Sequence, residues 1–203
     1  MYREKYDRIA GFYELLEKPL DRVFNPLRER AISFAKGRTL EIGIGTGKTL
    51  HYYPQGVELY AVDGSEKMLE MAKRRAEELG IEVKLIVAEA ERLPFPDNYF
   101  DTVVSSFVFC TVPNPDKAMD EIKRVLKPGG RVIFLEHTKS ESRIVNYLFL
   151  FPMKLILKPL LDDNPLRETH KLVRKYFKVE KEERYYKGIV RLIVARNNAS
   201  LDL

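Results

Sequence analysis

The residues best suited to chemistry are three glycines at alternate positions, Gly43, Gly45 and Gly47, within residues 40–50, LEIGIGTGKTL. Glycine tolerates positive φ and has no side chain to hold a ligand away. A glycine loop between a buried strand and a helix therefore lets the backbone approach a nucleotide-like cofactor closely. Several kinds of site use such loops, and spacing separates them. A phosphate-binding P-loop needs Gly, four residues, then Gly-Lys-Ser/Thr. Gly47-Lys48-Thr49 supplies the second half, but Ile42 stands where the first glycine belongs. A dinucleotide loop needs Gly-x-Gly-x-x-Gly. Counted from Gly43, its third glycine falls on Lys48. Each pattern misses by one position.

A phosphate-free cofactor, S-adenosylmethionine, makes different demands. Its ribose diol wants an ionised acid that can accept both hydroxyl protons. Asp63, at the end of the second expected strand, has the spacing of a ribose-binding acid. The adenine amino group needs an acceptor and its ring needs apolar walls. Glu89 and Ala90, after the third expected strand, with Met68 and Leu93, offer both. The positive ammonium and sulfonium favour negative surroundings, which Glu41 and strand-end carbonyls supply. An acid at one strand end is commonly just solvated. Four acid- or glycine-bearing strand ends in order are hard to attribute to surface chance.

These residues need a scaffold, and the chain supplies its parts in order. Residues 1–36 carry Tyr6, Ile9, Ala10, Tyr13 and Leu16 at helical steps, interrupted by Gly11 and Pro19. They predict two or three short helices forming a cap or a lid. Asn25-Pro26 reads as a fresh helix start and Gly37 as its stop. Residues 38–43, 57–62, 83–88 and 101–107 read as buried strands. A helix after the glycines is expected to run through His51. Ser65 caps a helix to Leu79 that Gly80 stops, and Asn114-Pro115-Asp116 opens another. Residues 131–137 form strand five. Residues 179–186 and 189–196, joined by Lys187-Gly188, form an antiparallel hairpin. The alternation predicts a parallel sheet with helices on both faces.

Composition narrows the class. At 203 residues the chain suits one α/β domain, 1–203, with a substantial core. Charged residues make up 32%, with both signs mixed, which suits a heat-adapted protein. One Cys and three scattered His argue against a disulfide framework or a metal site. The net charge of +5 is too modest to suggest a nucleic-acid partner. The N-terminus is charged and lacks an apolar signal core, which points to the cytoplasm.

The arrangement resembles the class I S-adenosylmethionine-dependent methyltransferases. The residues carrying it are LEIGIGTG at 40–47, AVDGSEKML at 61–69, AEAERLPFPDNYFD at 88–101 and RVLKPGGRVIFLEH at 124–137. The resemblance implies a Rossmann-like, mostly parallel seven-stranded sheet with a C-terminal antiparallel hairpin. It implies that Gly43, Gly45 and Gly47 line the methionine and ribose, that Asp63 holds the ribose, and that Glu89 and Ala90 hold the adenine. Glu41, Gly64, Met68 and Ser105 complete the implied cofactor set. The family often has Asp where this chain has Glu89. Within the family, YDRIAGFY at 6–13 looks like the entry segment of the ubiquinone/menaquinone-biosynthesis and phosphatidylethanolamine N-methyltransferase branch, which implies that Tyr6 and Tyr13 lie over the cofactor. FVFCTVPNPDKAMDEIKRVLKPGG and LRETH also resemble a small branch of membrane-associated proteins acting on thiols or lipids, although DDNPLRETH here has no Cys.

Methyl transfer from a sulfonium is an in-line displacement in which the protein mainly aligns and desolvates. A base is needed only if the acceptor must lose a proton. His137, at the carboxyl end of strand five, stands where open α/β sheets bind ligands and has a suitable ordinary pKa. A loop-bonded structural histidine is the competing account. Cys110 and Thr111, with Tyr13 and His137, are candidates for the acceptor pocket, against ordinary packing for the cysteine. Residues 138–175 break the strand–helix rhythm. Their stretch 144–161, IVNYLFLFPMKLILKPLL, is apolar but broken by prolines and lysines, which argues against a bilayer span. It is expected to roof the pocket for a hydrophobic or lipid-like acceptor methylated on N, O or S, or to rest on an anionic membrane surface. The rival classes are a non-catalytic S-adenosylmethionine-binding regulator and a nucleotide hydrolase built on Gly47-Lys48-Thr49. No pattern dictates an oligomeric state.

Overall fold

In the computed structural model, described for residues 18–161 and 164–198, the chain builds its sheet outward from the strand before the glycines. That strand, β1 (Arg38–Ile42), is almost wholly buried: Leu40 and Ile42 join one core cluster, while Thr39 and Glu41 alternate to the other side. It pairs in parallel with β2 (Glu58–Asp63) and with β4 (Phe100–Ser106). β3 (Val83–Val87) lies beyond β2. β5 (Leu126–His137) pairs in parallel with β4 and antiparallel with β7 (Val190–Arg196), which pairs with β6 (Lys178–Tyr185). The order is β3-β2-β1-β4-β5-β7-β6, the expected seven strands with an antiparallel closing hairpin. Because the chain leaves β1 in one direction and returns to its other side as β4, a crevice opens beyond their carboxyl ends, where ligands bind in open α/β sheets.

Helices cover both faces. On one face, α1, described from residue 18 to 32, buries Leu27, Ala31 and Ile32 against Val104, Ile133, Leu135 and Leu192. Beside it, α2 (Glu66–Leu79) buries Leu69, Ala72 and Ala76 on Leu59 and Ala61. On the other, α3 (Pro115–Val125) and α6 (Thr169–Tyr176) enclose the cluster of Phe100, Phe134 and Ile193. The caps are those the sequence implies: Ser65 Oγ accepts the Met68 N–H and Asn114 Oδ1 the Lys117 N–H.

Two expectations fail locally. α1 does not restart at Asn25-Pro26, and Asn25 accepts from Arg28 Nη1 at 2.8 Å rather than capping a new helix. Half-buried Phe24 before Pro26 and buried Leu27 after it pack on the same core cluster, and this outweighs the one backbone bond proline removes. After the glycines no α-helix forms; a single 3-10 turn at Leu50–Tyr52 takes its place. There Thr49 and Tyr53 spend their hydroxyls on Glu41 of β1, fixing the turn to the sheet. Of the expected cap or lid over residues 1–36, the part before residue 18 lies outside the described residues.

Between β5 and α6 run α4 (Arg143–Val145), a π-turn (Asn146–Leu150) and α5 (Phe151–Leu161). Among the described residues no helix is long and apolar enough to cross a membrane.

Candidate active site

A cleft enclosing about 930 Å3, part of it open to solvent, lies over the carboxyl ends of β1, β2 and β4. Gly43 and Gly45 form its floor, Asp63, Gly64 and Met68 one wall, and Ser106, Phe107 and Val108 the opposite wall. Gly43 has φ +68°, and a Cβ there would stand 2.4 Å from Val108 Cγ2, so the side wall rests directly on the glycine. Asp63 is aimed by two backbone donors: Gly45 N–H bonds Oδ2 and Ser65 N–H bonds Oδ1, both at 2.9 Å. These two amides fix the orientation of the carboxylate on the cleft wall.

Other expected residues are placed differently. Gly47 does not line the cleft; it lets α2 approach, since a Cβ would meet Leu50 Cδ1 at 2.8 Å and Ala72 Cα at 3.2 Å. Glu89 is exposed and off the cleft wall, which is formed instead by Ala88, Ala90 and Glu91. Ser105 turns inward to donate to Glu136 Oε1 at 2.7 Å. Strand alternation gives the cleft Ser106, whose buried Oγ has no partner among the described residues. Tyr6 and Tyr13 lie outside the described residues.

On the acceptor side Thr111 lines the cleft and Cys110 does not; the cysteine is buried with Sγ directed at the Phe107 carbonyl. His137 is also off the cleft, packed against Phe24 and Phe107 at ring distances of 5.6 and 4.6 Å. Its desolvation, aided by the nearby Arg28 charge, lowers its pKa to about 4. A histidine held neutral behind a phenylalanine is a packing residue in this arrangement. Among the described residues of the expected roof and its insertion, 138–161 and 164–175, none lines the cleft wall. The segment instead reaches the site through its far end. Arg167 Nη1 donates to the carbonyls of Phe109 and Val112, both at 2.6 Å, and Asn164 N–H to that of Cys110.

Glu136, a carboxylate near the end of β5, supports the site from behind. Its buried carboxylate accepts from Ser105 Oγ and from the amides of Val108 and Phe109 at 3.1–3.2 Å. It thereby holds the turn in which Phe107 adopts φ +59°. Glu136 and Arg167 together shape the loop forming the acceptor-side wall. The only advance signal for Glu136 was a carboxylate inside an apolar strand.

Glu41 lines the cleft yet is buried, taking Thr49 Oγ1 at 2.8 Å and Tyr53 OH at 2.9 Å. Burial outweighs these bonds and raises its pKa from 4.5 to about 7. The two shifts give opposite pH dependences. For Glu41 the folded state holds a proton more tightly, so its contribution to stability is full below pH 4.5 and lost as pH rises through 7. For His137 the folded state resists a proton, so stability is full above pH 6.5 and lost as pH falls through 4. Each change amounts to at most about 3.5 kcal/mol. Glu41→Gln should leave the His137 slope exposed, with stability rising from pH 4 to 6.5. His137→Phe should leave the Glu41 slope, with stability falling from pH 4.5 to 7. Urea midpoints across this range check both, and identical profiles for the two variants would refute the assignment.

The half P-loop is dismantled by the same geometry. Lys48 Nζ pairs with Asp21 of α1 at 2.7 Å, Thr49 serves Glu41, and no α-helix presents its N-terminus to a phosphate.

Comparison with known proteins addresses the family and the fold. A family described as "Methyltransferase domain" matches residues 40–134. A ubiquinone/menaquinone biosynthesis C-methyltransferase of Burkholderia mallei is 37% identical over 177 residues, covering 79% of this chain and 72% of that protein. A phosphatidylethanolamine N-methyltransferase of Cereibacter sphaeroides is 41% identical over 103 residues, 50% of this chain, and the match spans about half, 51%, of that relative. A solved structure of a SAM-dependent methyltransferase, possible histamine N-methyltransferase, from Thermotoga maritima superposes with TM-score 0.70 at 25% identity, covering 98% of this chain and 100% of that one.

Proposed function

The chain belongs to the S-adenosylmethionine-dependent methyltransferase family, and from that membership we propose that it methylates a small hydrophobic, lipid- or quinone-like acceptor in the cleft between β1 and β4. S-adenosylmethionine, when bound, supplies a methyl group already activated on a sulfonium. The residues present fit that cofactor. Asp63, held by the Gly45 and Ser65 amides, accepts from the ribose hydroxyls. The backbone at Gly45, where a Cβ would meet nothing within 4 Å, and at Gly43 beside it passes along the methionine portion, and Met68 with Ala90 gives the adenine its apolar walls. The Ser106 hydroxyl, which has no partner among the described residues, borders the same cleft.

The observation that carries the reading is Asp63, fixed by two backbone amides on the wall of a glycine-floored cleft at the sheet's switch point. For the acceptor, Phe107, Val108, Thr111 and Val112 make an apolar wall with one hydroxyl, and relatives are named for quinone and phospholipid methylation. With the loop clamped by Glu136 and Arg167, alignment and exclusion of water are the protein's contribution. His137 takes no part in the transfer. Asp63→Ala should weaken S-adenosylmethionine binding by about 1.5–3 kcal/mol, the value of hydrogen bonds to a charged group. The function itself is tested by incubation with methyl-labelled S-adenosylmethionine and a panel of quinols, phospholipids, thiols and amines. Label transfer to an apolar member is the expected result. Binding without transfer to any member would favour a non-catalytic regulator.

A further inference from the structure

We propose that the helical segment from Ser142 to Leu161 is an interfacial element that seats the protein on an anionic lipid bilayer. Ile144 (69% exposed), Tyr147 (74%), Leu148 (58%), Phe151 (47%) and Leu155 (63%) present large apolar side chains to water on successive turns. Single exposed hydrophobics are ordinary, but a contiguous group of this size is rare on a water-facing surface and marks an interaction site. The segment's inner side is tied down: Leu150 is buried, Asn146 and Ser140 exchange two hydrogen bonds, and Ser142 caps the Val145 amide. Ile144, Tyr147 and Leu148 therefore sit on tied-down helical backbone, which continues into α5 with Phe151 and Leu155.

Charge identifies the occupant. Between Glu141 and Asp162 there is no acidic residue, while Arg143, Lys154 and Lys158 are basic. Apolar side chains mixed with basic ones, without acids, on a helix too short and too broken by Pro152 and Pro159 to span, match a helix lying in the plane of an anionic membrane surface. A second copy of this chain would bring the same positive charges face to face. The segment also connects to the acceptor side of the cleft through Asn164 and Arg167, so a seated segment would lie next to the loop that forms the acceptor wall. This fits the proposed acceptor class but does not depend on the transfer chemistry.

The chain has no tryptophan, so Tyr147→Trp creates a single reporter. With mixed phosphatidylcholine–phosphatidylglycerol vesicles its emission should shift to the blue and be quenched by brominated acyl chains. Pure phosphatidylcholine should give little of either. Adding Arg143→Gln and Lys154→Gln should weaken partitioning to anionic vesicles on the order of tenfold to thirtyfold. Leu148→Asp with Phe151→Asp should abolish it in co-sedimentation. S-adenosylmethionine binding, measured in solution on the same variants, should be unchanged, which separates this surface from the cleft. No blue shift with anionic vesicles would overturn the proposal. So would a lipid-independent, concentration-dependent shift accompanied by dimerisation in analytical ultracentrifugation, which would assign the surface to a second copy.

Discussion

Gly43→Ala is expected to destabilise the protein by about 2–5 kcal/mol, combining left-handed backbone strain with overpacking. Gly43 has φ +68°, where an L side chain is strained wherever it points. Here it also has nowhere to point: its Cβ would stand 2.4 Å from Val108 Cγ2 and 2.9 Å from Cγ1. Val108 is not able to retreat, because its amide is bonded to both oxygens of Glu136. Gly45→Ala is the control. It has φ +54° but nothing within 4 Å of its Cβ, so strain alone, about 1–2 kcal/mol, is expected. Urea denaturation of both variants checks this. Equal losses would show that Val108 does not crowd Gly43.

Glu136→Ala should have a comparable effect, about 3–5 kcal/mol, because it strips the acceptor from three buried or half-buried donors at once. Ser105 Oγ and the amides of Val108 and Phe109 would lose their shared partner inside the protein. The Phe107 turn, with its positive φ of 59°, would lose its clamp. Glu136→Gln keeps one carbonyl oxygen and should lose less. Thermal unfolding ranks the three proteins, and hydrogen exchange locates the effect, with Val108 and Phe109 losing protection before the strands do. Near-native stability of Glu136→Ala would mean that the carboxylate does not hold this turn.

Features governed by local rules were readable from the chain. Ser65 and Asn114 cap where the residue types say they should, because a cap needs only its own turn. The seven strands and their closing hairpin follow from period and glycine punctuation. Asp63 was legible as the acid after β2, since its partners, Gly45 and Ser65, belong to the same two strand ends. What escaped depends on long-range pairing. Ser105 and Ser106 are adjacent and alike; the buried Glu136, 31 residues from Ser105, decides which one turns inward. Gly47 belongs to the loop by spacing, but the approach of Ala72 makes it a packing glycine. His137 sits at a strand's carboxyl end, as a catalytic residue would, yet Phe24 from α1 and Phe107 enclose it. The helix expected after the glycines gave way to a 3-10 turn held by Glu41, a contact the local sequence does not advertise.

Titration calorimetry decides whether the glycine-floored cleft binds S-adenosylmethionine through Asp63. Wild-type protein should bind S-adenosylmethionine and S-adenosylhomocysteine and give no heat with ATP. Asp63→Ala, folded by circular dichroism, should bind S-adenosylmethionine about tenfold to 150-fold more weakly. Tight ATP binding without S-adenosylmethionine binding would make the cleft a nucleotide site, and an unchanged affinity in Asp63→Ala would rule out Asp63 as the ribose acceptor.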